Sequence, residues 1–356
     1  MGEAVLVFPA GMPEGLAFSD RAKSMGLRVV GASSLERDPA ESAYEAWEHL
    51  PYINDPGFDA ALAEVVRRHE VSAVHAPHYI VWKHLTERLG QIAPGATLSG
   101  GMGPQDNERA YRSLTDRVAA IKAPCFWPAA PGKPAMTAAE RVGLVRLVES
   151  IPGQCSAEKT IAVMEAMRHA PKGDVVEIGC WWGRSAALLV TLATRYDIGN
   201  VLCIDPWTTE DLMQGEPTVD GACLEVDMDQ ALRIFEINLA PLAWGKLNYL
   251  RARAATAAQT YRENLTVCTP TFGETSYEGR IAFLHIDGNH AEPEVALDCA
   301  LWTPRVAPGG WIVFDDYDWA FGDGPKRVAD AFVEREGPRI AASFQAGPSL
   351  FVQLRR

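Results

Sequence analysis

Three acidic residues and a histidine follow two largely apolar segments in the second half of the chain. Residues 281–286 end in Asp287, with His290 three positions later, and residues 311–314 end in Asp315 and Asp316. The residues between them, about 293–302, have helical spacing, so the unit is predicted to be strand, helix and parallel strand. If the two strands are neighbours they lie about 4.8 Å apart, and the acids at their carboxyl ends converge.

Convergent carboxylates repel one another unless a cation joins them. A hard divalent ion such as Mg²⁺ prefers oxygen ligands and retains open water positions, which Asp287, Asp315 and Asp316 would supply. An alternative is that Asp315 and Asp316 only cap the following loop and that Asp287 starts a turn with Gly288. The sequence thus predicts a magnesium-type site, with a purely structural interpretation left open.

The stretch from residue 174 to residue 207 organises the rest of the chain. It predicts a strand over 175–178, a turn with Gly179 and Gly183, a helix over 185–194, and a second strand that ends at Asp205. A carboxylate there can accept hydrogen bonds from a ribose. The turn lacks the three-glycine dinucleotide fingerprint, and Glu177 stands at the end of the first strand. A pyrophosphate disfavours such an acid, whereas a cationic sulfonium with an amino-acid tail tolerates it.

This stretch resembles motif I of the class I S-adenosylmethionine (SAM) methyltransferases, with Asp205 in the ribose-binding position. The resemblance implies SAM as cofactor. Its predicted contacts are Glu177, Gly179, Cys180, Gly183, Asp205, Pro206, Trp207, Ala252, Arg253 and Asp287.

The pattern Asp-Gly-x-His, Pro-Gly-Gly and Asp-Asp-Tyr resembles the metal-dependent O-methyltransferases that act on sugar hydroxyls of natural products, including the macrolide-sugar type. The resemblance covers about residues 150–335. It implies that Asp287, Asp315 and Asp316 hold the metal and that His290 is the catalytic base beside Asp287. Asn289 stands where these enzymes often carry an acid, which leaves the number of metal ligands open.

The N-terminal part is predicted to be a separate α/β domain. Strands are expected at residues 4–9, 27–30 and 71–76, with helices over about 16–25 and 58–69. These features resemble the Rossmann-like domain that precedes the catalytic part of ATP-grasp ligases, but no ATP-grasp core follows. Such a domain would serve packing, dimerisation or substrate docking.

The predicted fold is therefore α/β with two Rossmann-like domains, the second a doubly wound, seven-stranded class I methyltransferase sheet. The predicted domains are residues 1–122 and 137–356. The linker over 123–136 holds four prolines in fourteen positions and excludes regular helix. Thr137 and Glu140 have the spacing of a capping box that starts the next helix.

Composition restricts the partners of the chain. Its 356 residues carry a formal net charge of −13, which disfavours nucleic acid because phosphate binding needs a basic face. The seven cysteines form no C-x-x-C pair, which indicates a reducing compartment without a structural zinc site. No apolar run approaches the roughly 20 residues that span a bilayer, so we expect no membrane partner and a cytoplasmic location.

An acidic insertion, residues 208–242, interrupts the regular alternation after the second strand. Its acids are either a solvated surface loop or part of a lid, because the segment leaves the strand on the side where ligands bind.

Together these observations predict a SAM-dependent, divalent-metal-dependent O-methyltransferase that acts on a hydroxyl group of a small molecule, a sugar or a secondary metabolite. Two alternatives stay open: a metal-dependent hydroxylase-like relative on the same fold, and a non-catalytic SAM-binding scaffold. The identity of the acceptor and the existence of a homo-oligomer are not determined by the sequence.

Overall fold

A computed structural model describes residues 4–101 and 103–356 of the chain. The contacts divide it into two compact units, one that ends at Ser113 and one from Leu114 to Arg356. The predicted boundary at residues 123–136 lies further along the chain, because the end of helix α4 (Pro104–Ala120) places Val118 in the core of the second unit.

The first unit is a five-stranded parallel sheet with the strand order β3-β2-β1-β4-β5. Its strands are β1 (Ala4–Val7), β2 (Arg28–Ser33), β3 (Ala46–His49), β4 (Val71–Ala76) and β5 (Thr97–Gly100). Its helices are α1 (Pro13–Ser24), α2 (Phe58–His69) and α3 (Tyr79–Ile92), with a 3-10 helix at Pro39–Ala43. Helix α2 buries Phe58, Leu62 and Val65, whose spacing defines one helical face.

The proline-rich segment belongs to the second unit. Residues 121–137 form neither helix nor strand, as the prolines predict. The Phe126 ring stacks on Phe344 and meets Trp311 edge to face, and the Ala129 amide donates to the side chain of Gln353. The segment is therefore held against the sheet of this unit.

A seven-stranded sheet forms the centre of the second unit, in the order β13-β14-β12-β11-β6-β7-β8. Five neighbouring strands run parallel: β12, β11, β6, β7 and β8. Strand β14 is antiparallel to both of its neighbours. The predicted doubly wound sheet is confirmed. The strands are β6 (Asp174–Ile178), β7 (Val201–Asp205), β8 (Leu247–Arg251), β11 (Ile281–Ile286), β12 (Val306–Phe314), β13 (Ile340–Ala346) and β14 (Ser349–Leu354), and a separate hairpin is formed by β9 (Thr266–Thr269) and β10 (Gly273–Ser276).

Helices cover both faces of this sheet, as its continuous buried strands require. One face carries α5 (Ala138–Ser150), α6 (Ala157–Arg168), α7 (Arg184–Arg195) and α10 (Met228–Ala243). The opposite face carries α11 (Ala254–Glu263), α12 (Glu292–Trp302) and α13 (Gly324–Glu336). Two short helices, α8 (Thr209–Leu212) and α9 (Pro217–Cys223), precede α10, and 3-10 helices lie at Thr303–Arg305 and Gly337–Arg339. The capping box at Thr137 and Glu140 is present.

The strand order reverses between β6 and β11. From β6 the chain builds outward to β7 and β8, and it later returns to β11 and builds β12 on the other side. Ligands of doubly wound sheets bind at the carboxyl ends of the strands beside such a reversal. The two predicted turns, after Ile178 and after Ile286, therefore meet there.

None of the helices in the described ranges is both long and apolar enough to cross a membrane.

Candidate active site

The turn after β6 and the turn after β11 are in direct backbone contact. Gly179 has a φ of +83°, and a Cβ atom on it would stand 1.8 Å from the carbonyl oxygen of Asp287. The amide of Asp287 donates to the carbonyl of Ile178 at 2.8 Å, and the amide of Gly179 donates to the carbonyl of Ile204 at the same distance. Position 179 thus requires glycine, both for its backbone conformation and for this close approach.

Asp205 organises the glycine turn. One carboxylate oxygen accepts the amides of Cys180 and Trp181 at 2.9 and 3.0 Å, and the other accepts the amide of Trp207 at 2.8 Å. A carboxylate has about four acceptor positions, so these three bonds leave one for a further donor. The predicted hydrogen bond to a ribose remains a prediction, and the structure adds a local role in shaping the turn.

Three predicted cofactor contacts direct their side chains into the interior. Glu177 is fully buried, and its carboxylate lies 2.9 Å from Nδ1 of His285. The thiol of Cys180 is buried, and the Trp207 indole packs in the core with Nε1 donating to the carbonyl of Trp181. Glu177 and His285 are paired residues of neighbouring strands, so their side chains lie on the same face of the sheet. A contact of these residues with a cofactor remains a prediction.

Gly183 also has a packing role. It precedes α7 with a φ of +87°, and a Cβ atom there would lie 2.2 Å from a methyl group of Leu239 on α10. The absence of a side chain at Gly183 therefore allows α7 and α10 to pack closely.

The other predicted cofactor residues lie at the same edge as Asp205. Pro206 directly follows β7, and Ala252 and Arg253 follow β8, whose Arg251 pairs with Asp205 in the sheet. The Arg253 side chain is 68% exposed, and its Nε lies 2.7 Å from a carboxylate oxygen of Asp211. The Arg253 guanidinium therefore forms an ion pair with the acidic insertion.

The predicted metal acids separate into two groups that share Asp287. In the outer group, ligand atoms of Asp287, His290 and Asp316 all lie within 4.8 Å of one another. Nε2 of His290 is 3.0 Å from a carboxylate oxygen of Asp316. In the inner group, ligand atoms of His285, Asp287 and Asp315 likewise all lie within 4.8 Å of one another. Asp315 and Asp316 are therefore adjacent in sequence but belong to different groups.

The inner group contains a buried lysine. Nζ of Lys159, on α6, contacts a carboxylate oxygen of Asp315 and lies 3.6 Å from one of Asp287. Nε2 of His285 is 3.7 Å from Asp315 and 3.8 Å from Asp287, and the Ser349 hydroxyl donates to the other oxygen of Asp315. Four elements of the second unit thus contribute to this cluster.

Charge pairing sets the ionisation of the inner group. Burial alone would lower the pKa of Lys159, but the carboxylates of Asp315 and Asp287 raise it. Burial opposes ionisation of Asp315 as well, yet the Lys159 ammonium holds the pKa of that carboxyl well below its usual range. Burial and the neighbouring Asp315 carboxylate raise the pKa of Asp287. Lys159 and Asp315 therefore form an ion pair inside the domain.

Sequence reasoning missed Lys159 and the polar role of His285. The i, i+2 spacing of His285 and Asp287 places both on one face of β11, a signal that could have linked them. Lys159 offered no comparable signal, because it stands among buried, mostly apolar residues of α6 without a recognisable motif.

The acidic insertion contacts the site loop, residues 287–290 after β11. The Asn289 side-chain amide donates to the carbonyls of Met213 and Asp211 at 2.7 and 3.3 Å. The amide of His290 donates to the side-chain oxygen of Gln214 at 2.7 Å. These contacts favour the lid interpretation of the segment over a free surface loop. The side-chain amide of Asn289 is thus hydrogen-bonded to the insertion.

Two cavities lie at this edge of the sheet. A small one of about 10 Å³, lined by Asp287, Asn289, His290 and Asp315 among others, is of the size that holds one water molecule. A larger cleft of about 570 Å³ is lined by residues that include Arg117, Lys122, Glu158 and Gly347. The turn that carries Gly347 joins β13 to β14, next to Ser349, and so lies at the carboxyl end of β12.

Residues 176–317 match the family model of a methyltransferase domain. No curated protein matches the chain. The family match and the order of the seven strands confirm the predicted class I methyltransferase fold.

Several solved structures are similar to this chain at low sequence identity. The O-methyltransferase NovP is 18% identical over 56% of this chain and 81% of its own, with a TM-score of 0.40. The O-methyltransferase TomG from Streptomyces achromogenes, involved in tomaymycin synthesis and solved with SAM, is 14% identical over 72% and 100%, with a TM-score of 0.41. CalS11, a TDP-rhamnose 3'-O-methyltransferase, is 12% identical over 71% and 95%, with a TM-score of 0.36. These similarities are too low to transfer an acceptor or a residue role.

Proposed function

We propose that the methyltransferase domain over residues 176–317 transfers the methyl group of SAM to a hydroxyl group of a small molecule, assisted by a divalent cation. The observation that carries this proposal is the outer group of Asp287, His290 and Asp316, which stands at the carboxyl edge of a methyltransferase sheet. A hydroxyl acceptor needs a base and a stabilised oxygen anion, and this group contains candidates for both.

The carboxyl edge of the sheet beside the glycine turn is the proposed SAM site. This edge presents the backbone at Gly179 and the turn whose amides bond to Asp205. The remaining acceptor position of Asp205 suits a ribose hydroxyl, and Ala252 and Arg253 border the same edge. SAM, when bound, supplies the methyl group to be transferred.

The outer group fits a hard divalent cation. Asp287 and Asp316 provide carboxylate oxygens, the ligands that Mg²⁺ prefers, and both side chains are partly exposed at 19% and 23%. Asp315, the third predicted ligand, is instead paired with Lys159. A bound cation would polarise the acceptor hydroxyl and lower its pKa.

His290 is the proposed proton acceptor, through its Nδ1 atom. Its Nε2 lies 3.0 Å from the carboxylate of Asp316. This carboxylate can accept a hydrogen bond from Nε2–H and so fix the tautomer with the proton on Nε2. Nδ1 is buried and has no hydrogen-bond partner within the described ranges. In that tautomer Nδ1 carries the free lone pair, so it is the atom able to take a proton from the acceptor.

The cleft of about 570 Å³ is the proposed acceptor site. Its volume falls in the range of about 300 to 1,000 Å³ that is usual for small-molecule sites. Arg117, Lys122 and Glu158 provide polar groups for a hydroxylated compound such as a sugar, and Ile121 provides an apolar surface.

Methyl transfer from labelled SAM to a panel of sugar and phenolic acceptors tests the proposal. We expect a methylated product that excess EDTA suppresses and added Mg²⁺ restores. His290→Ala should lower turnover about 10²- to 10⁴-fold, with partial recovery as pH rises and hydroxide replaces the base. The matched control is His49→Ala, which alters an exposed histidine of the first unit.

Three results would contradict parts of the proposal. Full activity in excess EDTA would exclude the cation, and parental turnover of His290→Ala would make this residue structural. A product that gains oxygen and no label would favour the hydroxylase-like alternative. SAM binding without turnover of any acceptor would favour a scaffold.

A further inference from the structure

Lys159 is a buried lysine whose charge serves the acid cluster. Its side chain is 2% exposed, although the lysines of globular proteins are seldom buried unless paired. Its Nζ contacts Asp315 and lies 3.6 Å from Asp287. Within the described ranges it forms no other ion pair with an acid. The ammonium is thus fixed at the position where Asp287 and Asp315 approach each other.

We propose that Lys159 acts as a built-in cation that excludes Asp315 from the metal site, so that the divalent ion is held by Asp287 and Asp316 without Asp315. This inference rests on the proposed function. It assigns to Lys159 a positioning role, because it acts through the two acids and not on the acceptor.

The surroundings of Asp315 support the assignment. One carboxylate oxygen contacts the Lys159 ammonium, and the other accepts the hydroxyl of Ser349. The Asp315 side chain is only 6% exposed, whereas that of Asp316 is 23% exposed. Asp315 therefore has its charge compensated and both oxygens engaged before any metal ion arrives.

Lys159 should also weaken the binding of a divalent ion at the outer group. A positive charge 3.6 Å from the Asp287 carboxylate repels a second cation on that carboxylate, and the low local dielectric strengthens the repulsion. Without the lysine, Asp315 would become a third carboxylate beside Asp287. The affinity for the ion should then increase.

Direct binding of Mn²⁺, followed by calorimetry and by the loss of its free EPR signal, tests this inference without SAM or acceptor. In Lys159→Met, which keeps a long apolar side chain, we expect the Kd for Mn²⁺ to fall at least 10-fold. In Lys159→Met/Asp315→Asn one positive and one negative charge are removed together, so the net charge beside Asp287 is unchanged and the Kd should return to within about 3-fold of the parent. Lys172→Met, which removes an exposed lysine paired with Asp197, is the matched control and should bind like the parent.

The double variant keeps the test decisive if Lys159→Met alone fails to fold, since it removes both partners of the buried pair. A Kd at least 10-fold weaker in the double variant would identify Asp315 as a ligand and overturn the inference. A folded Lys159→Met that binds Mn²⁺ like the control would overturn it as well.

Failure of the proposed function gives a different pattern. If the parent binds Mn²⁺ and the variants shift the Kd as expected but no acceptor is methylated, the proposed reaction is wrong and the inference stands. If the parent binds no Mn²⁺, both the proposed cation and the inference are overturned.

Discussion

Asp298 should make the stability of the second unit fall as pH rises. It lies on α12, is 7% exposed, and points toward Gly288 in the site loop, where a Cβ atom would meet its Oδ2 at 3.3 Å. Burial, with a smaller contribution from Glu294, raises its pKa from 3.8 to about 7. The protonated form is therefore favoured in the folded chain.

The sign follows from proton linkage. Below about pH 4 both states are protonated, and Asp298 contributes no pH dependence. Between about pH 4 and 7 the unfolded chain ionises while the folded chain keeps its proton, so stability decreases with pH. At 1.36 kcal/mol for each pKa unit, the cost above pH 7 reaches at most about 4 kcal/mol.

Asp298→Asn should remove this cost. The variant should match the parent near pH 4 and exceed it at pH 8 by up to about 4 kcal/mol, where each kcal/mol raises the Tm of a unit of this size by about 2 to 4 °C. Thermal unfolding of both proteins from pH 4 to pH 8 measures the difference. Glu334→Gln, which alters an exposed acid on α13, is the control. A difference that does not change with pH, or a less stable variant at pH 8, would refute the reasoning.

Two further predictions concern the proposed SAM site. Gly179→Ala should abolish SAM binding in calorimetry, because its Cβ atom would stand 1.8 Å from the carbonyl oxygen of Asp287 and force the two turns apart. SAM affinity equal to that of the parent would contradict this. Asp205→Asn should lower the Tm as well as SAM affinity, because charge-assisted hydrogen bonds to the turn, each worth about 1.5 to 3 kcal/mol, weaken. Weaker SAM binding with an unchanged Tm would argue against its role in the turn.

The arrangement of the strands could be predicted from residue patterns. The β-branched run before Gly179 and the apolar run before Asp287 correspond to β6 and β11, and the shared edge of parallel strands brings their ends together. The proximity of Asp287, His290 and Asp316 follows from the same rule, because all three lie within four residues of the ends of β11 and β12.

The different orientations of Asp315 and Asp316 could not be predicted in full. Both acids follow the last residue of β12, and Asp316 has a φ of +49°, so the alternation of side chains along a strand does not decide their directions. Which of them turns inward depends on Lys159, which lies 156 positions away in the chain. Such a contact depends on how α6 packs on the sheet, and no local pattern encodes it. Glu177 is a similar case, since its partner His285 becomes visible only once the register of β6 and β11 is known.

Asn289 would give the acidic insertion a part in the timing of the proposed reaction. This residue stands between Asp287 and His290, and its amide holds the carbonyls of Met213 and Asp211. In the proposed reaction, an acceptor that passed between the insertion and His290 would have to break these bonds. Departure of the product would then become the slow event. The first turnover would be faster than those that follow, and solvent viscosity would affect the steady rate more than the strength of the base.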